Sequence, residues 1–213
     1  MANLHSLPTQ PTRAPVSLAF DPALPAARRR QSLIDALPPA LRAVLDGGRI
    51  DRRSRFTEDG FVGIAEDWTP PDNVTPRHAL LARQALNELV ADILVPATPN
   101  HLLGRVLALL SHYPAKATSP DVEQLLAMDW ADDLGEFPAW AIDHAARIWR
   151  RTRKWRPSIA EIRALCEDAC ASERALADRL RAVVQAGEAA SGRSPDRSAP
   201  RALTATVRRM PGV

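Results

Sequence analysis

Six cations crowd the stretch from Arg147 to Arg156: Arg147, Arg150, Arg151, Arg153, Lys154 and Arg156. Guanidinium groups at this density suit bidentate contacts to phosphates or to the carboxylates of a partner surface. Trp140, Trp149 and Trp155 run through the same region, and indoles either stack on bases or wedge a helical core. Helical spacing from Pro138 to Lys154 puts Ala141, Ala145, Ile148, Trp149 and Thr152 on one face, with Asp143, Arg147, Arg150, Arg151 and Lys154 opposite. Trp149 and Trp155 are therefore expected to be structural, while Trp140 fits either role. The cations are expected to form a free face. That face is either plain solvated charge favoured at a helix C-terminus or a docking surface. The candidate partner-binding residues are Arg147, Arg150, Arg151, Lys154 and Arg156, joined by Arg208 and Arg209 near the end of the chain.

Other reactive residue types fall in patterns that support no chemistry. Asp129, Asp132, Asp133 and Glu136 are clustered enough to hold a divalent cation, but are better explained as a solvated turn facing the basic helix. Cys166 and Cys170 lie four apart on one helix, a poor geometry for a disulfide. With no second Cys or His pair they make a poor zinc site, so two buried thiols are expected. The histidines His5, His78, His101, His112 and His144 are dispersed and define no triad. The chain lacks a P-loop, a dinucleotide fingerprint, Gly-x-Ser-x-Gly and His-Glu-x-x-His, so no enzyme is expected. No catalytic, metal or cofactor-binding residue is assigned.

The elements that must position these residues are helical. The 213 residues hold one ordinary domain plus tails, and 46% are hydrophobic, enough for a core. Ala, Leu and Arg predominate, whereas β-branched residues rarely alternate. The expected fold class is all-α: a compact helical bundle with a long C-terminal helix and disordered basic tails. Residues 1–25, rich in Pro, Ser and Thr, are read as a disordered arm. Residues 26–75 are read as short helices and an irregular segment. There the basic patch Arg28-Arg29-Arg30 opens an amphipathic stretch split at Pro38-Pro39. Phe56, Phe61, Val62, Ile64 and Trp68 fit either a hairpin or an irregular loop.

Residues 76–190 are read as the bundle. Thr75-Pro76, Thr98-Pro99 and Ser119-Pro120 each set a hydroxyl N-cap before Pro at the first helical position, giving helices over 76–95, 99–112 and 120–134. Their expected inward stripes are Leu80, Leu81, Ala85, Leu86, Leu89 and Ile93; Leu102, Leu103, Val106, Leu107 and Leu110; and Val122, Leu125, Leu126, Trp130 and Leu134. A capping box from Ser158 to Glu161 starts a fifth helix that continues to about residue 190. Its seam of Ile159, Ile162, Cys166, Ala169, Leu176, Leu180 and Val183 is broken by Glu173, and is expected to pack on the chain's own N-terminal helices. Residues 191–213, with Arg193, Arg197, Arg201, Arg208 and Arg209 against Asp196, are read as a disordered basic tail.

From Leu102 to about Ala169 the order of features resembles the phage replicative-helicase loader/inhibitor family. The order is Tyr113-Pro114 after a helix, then Trp130 and Leu134, Phe137-Pro138 and an Ala-rich helix, then Pro157-Ser158-Ile159-Ala160-Glu161-Ile162. The resemblance implies a compact helical domain with a flexible C-terminal tail. It also implies a non-enzymatic adaptor, in phage or prophage DNA replication, that binds a hexameric replicative helicase and loads or restrains it. Two differences from the family are the roughly one hundred residues before the motif and the long fifth helix. The alternatives are an Arg-rich DNA-binding or regulatory protein, making weak DNA contact through phosphates, and a phage assembly protein. Without a signal peptide or an apolar run long enough for a membrane span, cytoplasmic residence and no membrane contact are expected. The oligomeric state is left open.

Overall fold

In the computed structural model, residues 18–58, 60–114 and 119–192 are described. Residues 1–17 and 193–213, which hold most of the two expected tails together with Arg208 and Arg209, lie outside them.

The chain begins with two short helices, α1 (Ala26–Ala36) and α2 (Pro39–Asp46), parted at Pro38 as the Pro-Pro step requires. An antiparallel hairpin follows, β1 (Arg49–Thr57) and β2 (Gly60–Thr69). The fold is thus mostly helical but not all-α, and this part of the expected irregular segment is a ribbon. Its register pairs Ile50 with Trp68, Arg52 with Glu66 and Ser54 with Ile64, and a bulge between Arg55 and Phe56 brings Phe56 opposite Phe61. Gly60 turns the tip at φ +115. A side chain at Gly48 would strike the Trp68 ring, 2.2 Å away, so glycine lets the ribbon's base fold over that indole.

Helix α3 (Pro76–Glu88) passes into a single π turn, Leu89–Ile93, and is followed by α4 (Pro99–Leu110), α5 (Pro120–Leu134) and α6 (Ala139–Thr152). The Thr75 and Thr98 hydroxyls accept the His78 and His101 amides as N-caps. Ser119 makes no such side-chain bond. The predicted capping box closes in both directions: the Ser158 amide donates to Glu161 Oε2 at 2.9 Å, and the Glu161 amide to Ser158 Oγ at 3.3 Å. It opens α7 (Ile159–Gly192), a helix of 34 residues.

α7 is the spine shared by two cores. Its first half closes one with Leu102, Val106, Trp130, Leu134, Phe137, Ile142 and Trp149. Its second half closes another with Leu33, Leu41, Val44, Ala82, Leu89 and Ile93. Glu173, which interrupts the seam, sits at the junction and is fully buried. It is bound by Arg29 from the supposed surface patch: Arg29 Nε donates to Glu173 Oε1 at 2.9 Å, and its other nitrogens donate to the Leu24 and Ala169 carbonyls. The polar break in the heptad pattern is therefore a buried ion pair fixing α1 to α7. Arg29 also lies 5.0 Å from the Trp140 ring, which stacks on Phe20 at 5.2 Å. Residues 18–25 of the expected disordered arm are thus held against the bundle.

The inward stripes are partly rotated from expectation. On α3 the buried residues are Ala79, Ala82 and Ala85, while Leu80 is 66% exposed. A Cβ at Gly187 would lie 2.6 Å from Ala79 Cβ, so small residues on both helices let α3 and α7 approach closely. On α5 only Trp130 and Leu134 are buried, and Val122, Leu125 and Leu126 face solvent.

Candidate functional site

The cationic run divides at the end of α6. Arg147, Arg150 and Arg151 belong to its last turns, while Arg153, Lys154 and Arg156 lie in the connection to α7. Arg147, Arg150, Arg151 and Lys154 are exposed and Arg156 is half-buried. Among the described residues none of them has a carboxylate within salt-bridge distance. The acids nearby are engaged elsewhere: Asp143 holds Arg105 at 2.9 Å and His101 at 3.3 Å. The structure therefore brings five of the seven sequence-derived candidates to one corner and leaves their charge uncompensated.

The tryptophans build that corner unequally. Trp149 is 3% exposed, and its Nε1 donates to the Trp155 carbonyl at 3.0 Å. Trp155 packs edge-on against it at 6.1 Å but is 53% exposed. Its expected core role is therefore corrected: it covers Trp149 from outside because the backbone turns at Pro157 before the ring can enter the bundle. The Arg153 guanidinium lies 5.8 Å from one ring and 5.4 Å from the other. Trp140, at the other end of α6, is half-buried and donates Nε1 to the Ile93 carbonyl of the π turn at 2.8 Å. Thr152, assigned to the inward face, is exposed, and its hydroxyl bonds back to the Ile148 carbonyl.

Beside the cationic corner lies an open groove of about 570 Å³ between α4 and α5. Leu103, Leu107 and Leu110 line one side, Leu126 and Trp130 the other, and Arg156 stands at its edge. Sequence periodicity placed Leu107 and Leu126 in the core. The missed signal is that α5 has a second, acidic population around its apolar residues, which leaves no side suited to deep burial.

The acidic turn does not face the basic helix as expected. Glu136 is clamped by Arg163 and by Arg174 (3.0 Å) of α7, and the Asp133 carbonyl also accepts from Arg163. The Arg163 hydrogen bond and the Arg174 charge hold the Glu136 carboxyl below the usual carboxylate range. Burial pushes the Cys166 thiol up to about 12 and Cys170 to about 11, so neither supplies a thiolate near neutral pH. Among the described residues no group of three or more His, Cys, Asp or Glu could hold a metal ion, and no helix is long and apolar enough to cross a membrane.

Compared with known proteins, the chain matches no family model, no curated protein and no solved structure.

Proposed function

We propose that this chain is a non-enzymatic adaptor that docks on a larger macromolecule, and that its partner is a hexameric replicative helicase that it loads or restrains. The observation that carries the docking role is the apolar groove meeting an uncompensated cationic corner at Arg156. Apolar contacts supply affinity there, and unpaired arginines steer an acidic surface into register. The helicase as partner rests on the resemblance from Leu102 to about Ala169. The turn that carries it, Pro157 to Ile162, is the joint linking corner to spine. Affinity capture of the host helicase with the full chain, with and without ATP, tests the reading. A complex weakened by Arg150→Glu/Arg151→Glu supports it; no complex under either condition contradicts it.

A second reading has its own observation: Arg147, Arg150, Arg151 and Lys154 are exposed and free of carboxylates, as phosphate contacts require. It predicts DNA affinity that falls steeply with salt, with a slope that flattens when these residues are replaced. Absence of any DNA shift at low salt removes it.

A further inference from the structure

The α5 wall of the groove is apolar and ringed by acid. Val122, Leu125, Leu126 and Met128 are between 37% and 60% exposed. The same helix carries Asp121, Glu123, Asp129, Asp132 and Asp133 and no cation. Two copies of α5 laid together would set like charges side by side, which makes a second α5 a poor cover. The surface fits instead a helix with an apolar stripe and surplus positive charge.

The chain carries such a segment beyond the described residues. Residues 201–210 read Arg-Ala-Leu-Thr-Ala-Thr-Val-Arg-Arg-Met. Leu203, Val207 and Met210 follow the i, i+4, i+7 spacing of one helix face. Arg201, Arg208 and Arg209 accompany them without an acid. We propose that the segment Arg201–Met210 of one copy docks as a short helix in the α4/α5 groove of another copy.

Reach sets the contact between copies rather than within one. The groove touches Arg156, just before α7 begins. The 34 residues of α7 then carry the chain about 50 Å away at 1.5 Å per residue. The stretch from Arg193 to Leu203 spans at most roughly 40 Å when fully extended. A tail therefore falls short of its own groove but is free to enter a neighbour's. Groove and tail lie at opposite ends of the spine, so the contact is head-to-tail and builds chains rather than a two-fold pair. It needs no other protein and is independent of the helicase reading.

Sedimentation velocity on the full chain tests this. The weight-average mass of the wild type should at least double between low- and high-micromolar concentration, and the rise should shrink as salt is raised. Leu203→Asp/Val207→Asp in the tail should abolish association, as should Leu126→Arg in the groove, with both variants keeping the wild-type circular dichroism spectrum. Mixing the two restores one intact groove–tail contact and should give a one-to-one pair and nothing longer. A wild type that stays monomeric throughout the range overturns the proposal. So does a Leu203→Asp/Val207→Asp chain that associates like the wild type, which would point to the N-terminal segment or to helix faces instead. If Leu126→Arg misfolds, a synthetic peptide of residues 196–213 decides: it should dissociate wild-type assemblies, whereas the same peptide with both aspartates should not.

Discussion

Helices α3 and α5 open with the same hydroxyl-Pro signal and carry comparable apolar stripes, yet their burial is inverted. In α3 the small residues Ala79, Ala82 and Ala85 are buried, whereas in α5 the larger Val122, Leu125 and Leu126 are exposed. The difference lies in the neighbour. Gly187 lets the backbones of α3 and α7 come together, so even alanines are fully enclosed. α5 meets α7 only near its C-terminal end, through Leu134 and the Glu136 clamp. Hydrophobicity decides which face of a helix seeks cover, but the availability of a partner decides whether it finds any.

The closed half should fail hardest when its buried charge is broken. Glu173→Ala leaves Arg29 enclosed and unpaired and should cost about 3–5 kcal/mol in chemical denaturation. Arg29→Met on the same background should recover much of that, because no buried charge then remains. A Glu173→Ala loss well under the surface-pair range of about 1 kcal/mol would show that α1 is not locked to the spine.

Within the corner itself, Trp149→Ala should cost about 3–5 kcal/mol. Trp155→Ala, which loses mainly the edge contact, should cost only about 0.5–1.5 kcal/mol. Equal losses would mean that the two rings share one core and that the boundary between buried and docking surface is misplaced.

A pH titration adds a finer contrast. Burial, then the charges of Arg29 and Arg147, hold His144 below its ordinary value of 6.5. With a depressed folded pKa, the unfolded chain binds the extra proton first. Stability is therefore full above the unfolded value and declines as pH falls from there toward the folded one. His144→Gln should flatten the thermal melting temperature between about pH 7 and about pH 5. An unchanged slope would assign the effect to other groups.

Much of this helical framework was legible in the sequence. Thr75, Thr98 and Ser158 announce helix starts through local hydrogen bonding, which needs no distant partner. The same holds for Pro38-Pro39. The hairpin was less legible because Arg52, Arg53, Asp51 and Glu66 dilute the alternation that marks a strand, and its pairing depends on contacts between residues far apart in sequence. Glu173 was visible as a flaw in the seam, but its partner is 144 residues away. The groove was hidden for a similar reason: Leu125 and Leu126 repeat as core residues do, and only the arrangement of α4, α5 and α7 leaves them bare. The cationic corner was visible throughout, since charge at a helix end is a local property.

The smallest effect expected is also informative. Leu125→Ala in the isolated chain should change stability by no more than about 0.5 kcal/mol, against about 2–5 kcal/mol for Leu89→Ala in the π turn that closes α3. A large Leu125 loss would mean that α5 is already covered.

Amide hydrogen exchange on the dilute full chain measures the contrast most directly. Amides from Val122 to Met128 should exchange orders of magnitude faster than those from Ala82 to Leu89, because only the latter open with the core. Equal protection of the two stretches would contradict the account, since it would place α5 inside the fold rather than on a surface awaiting a partner.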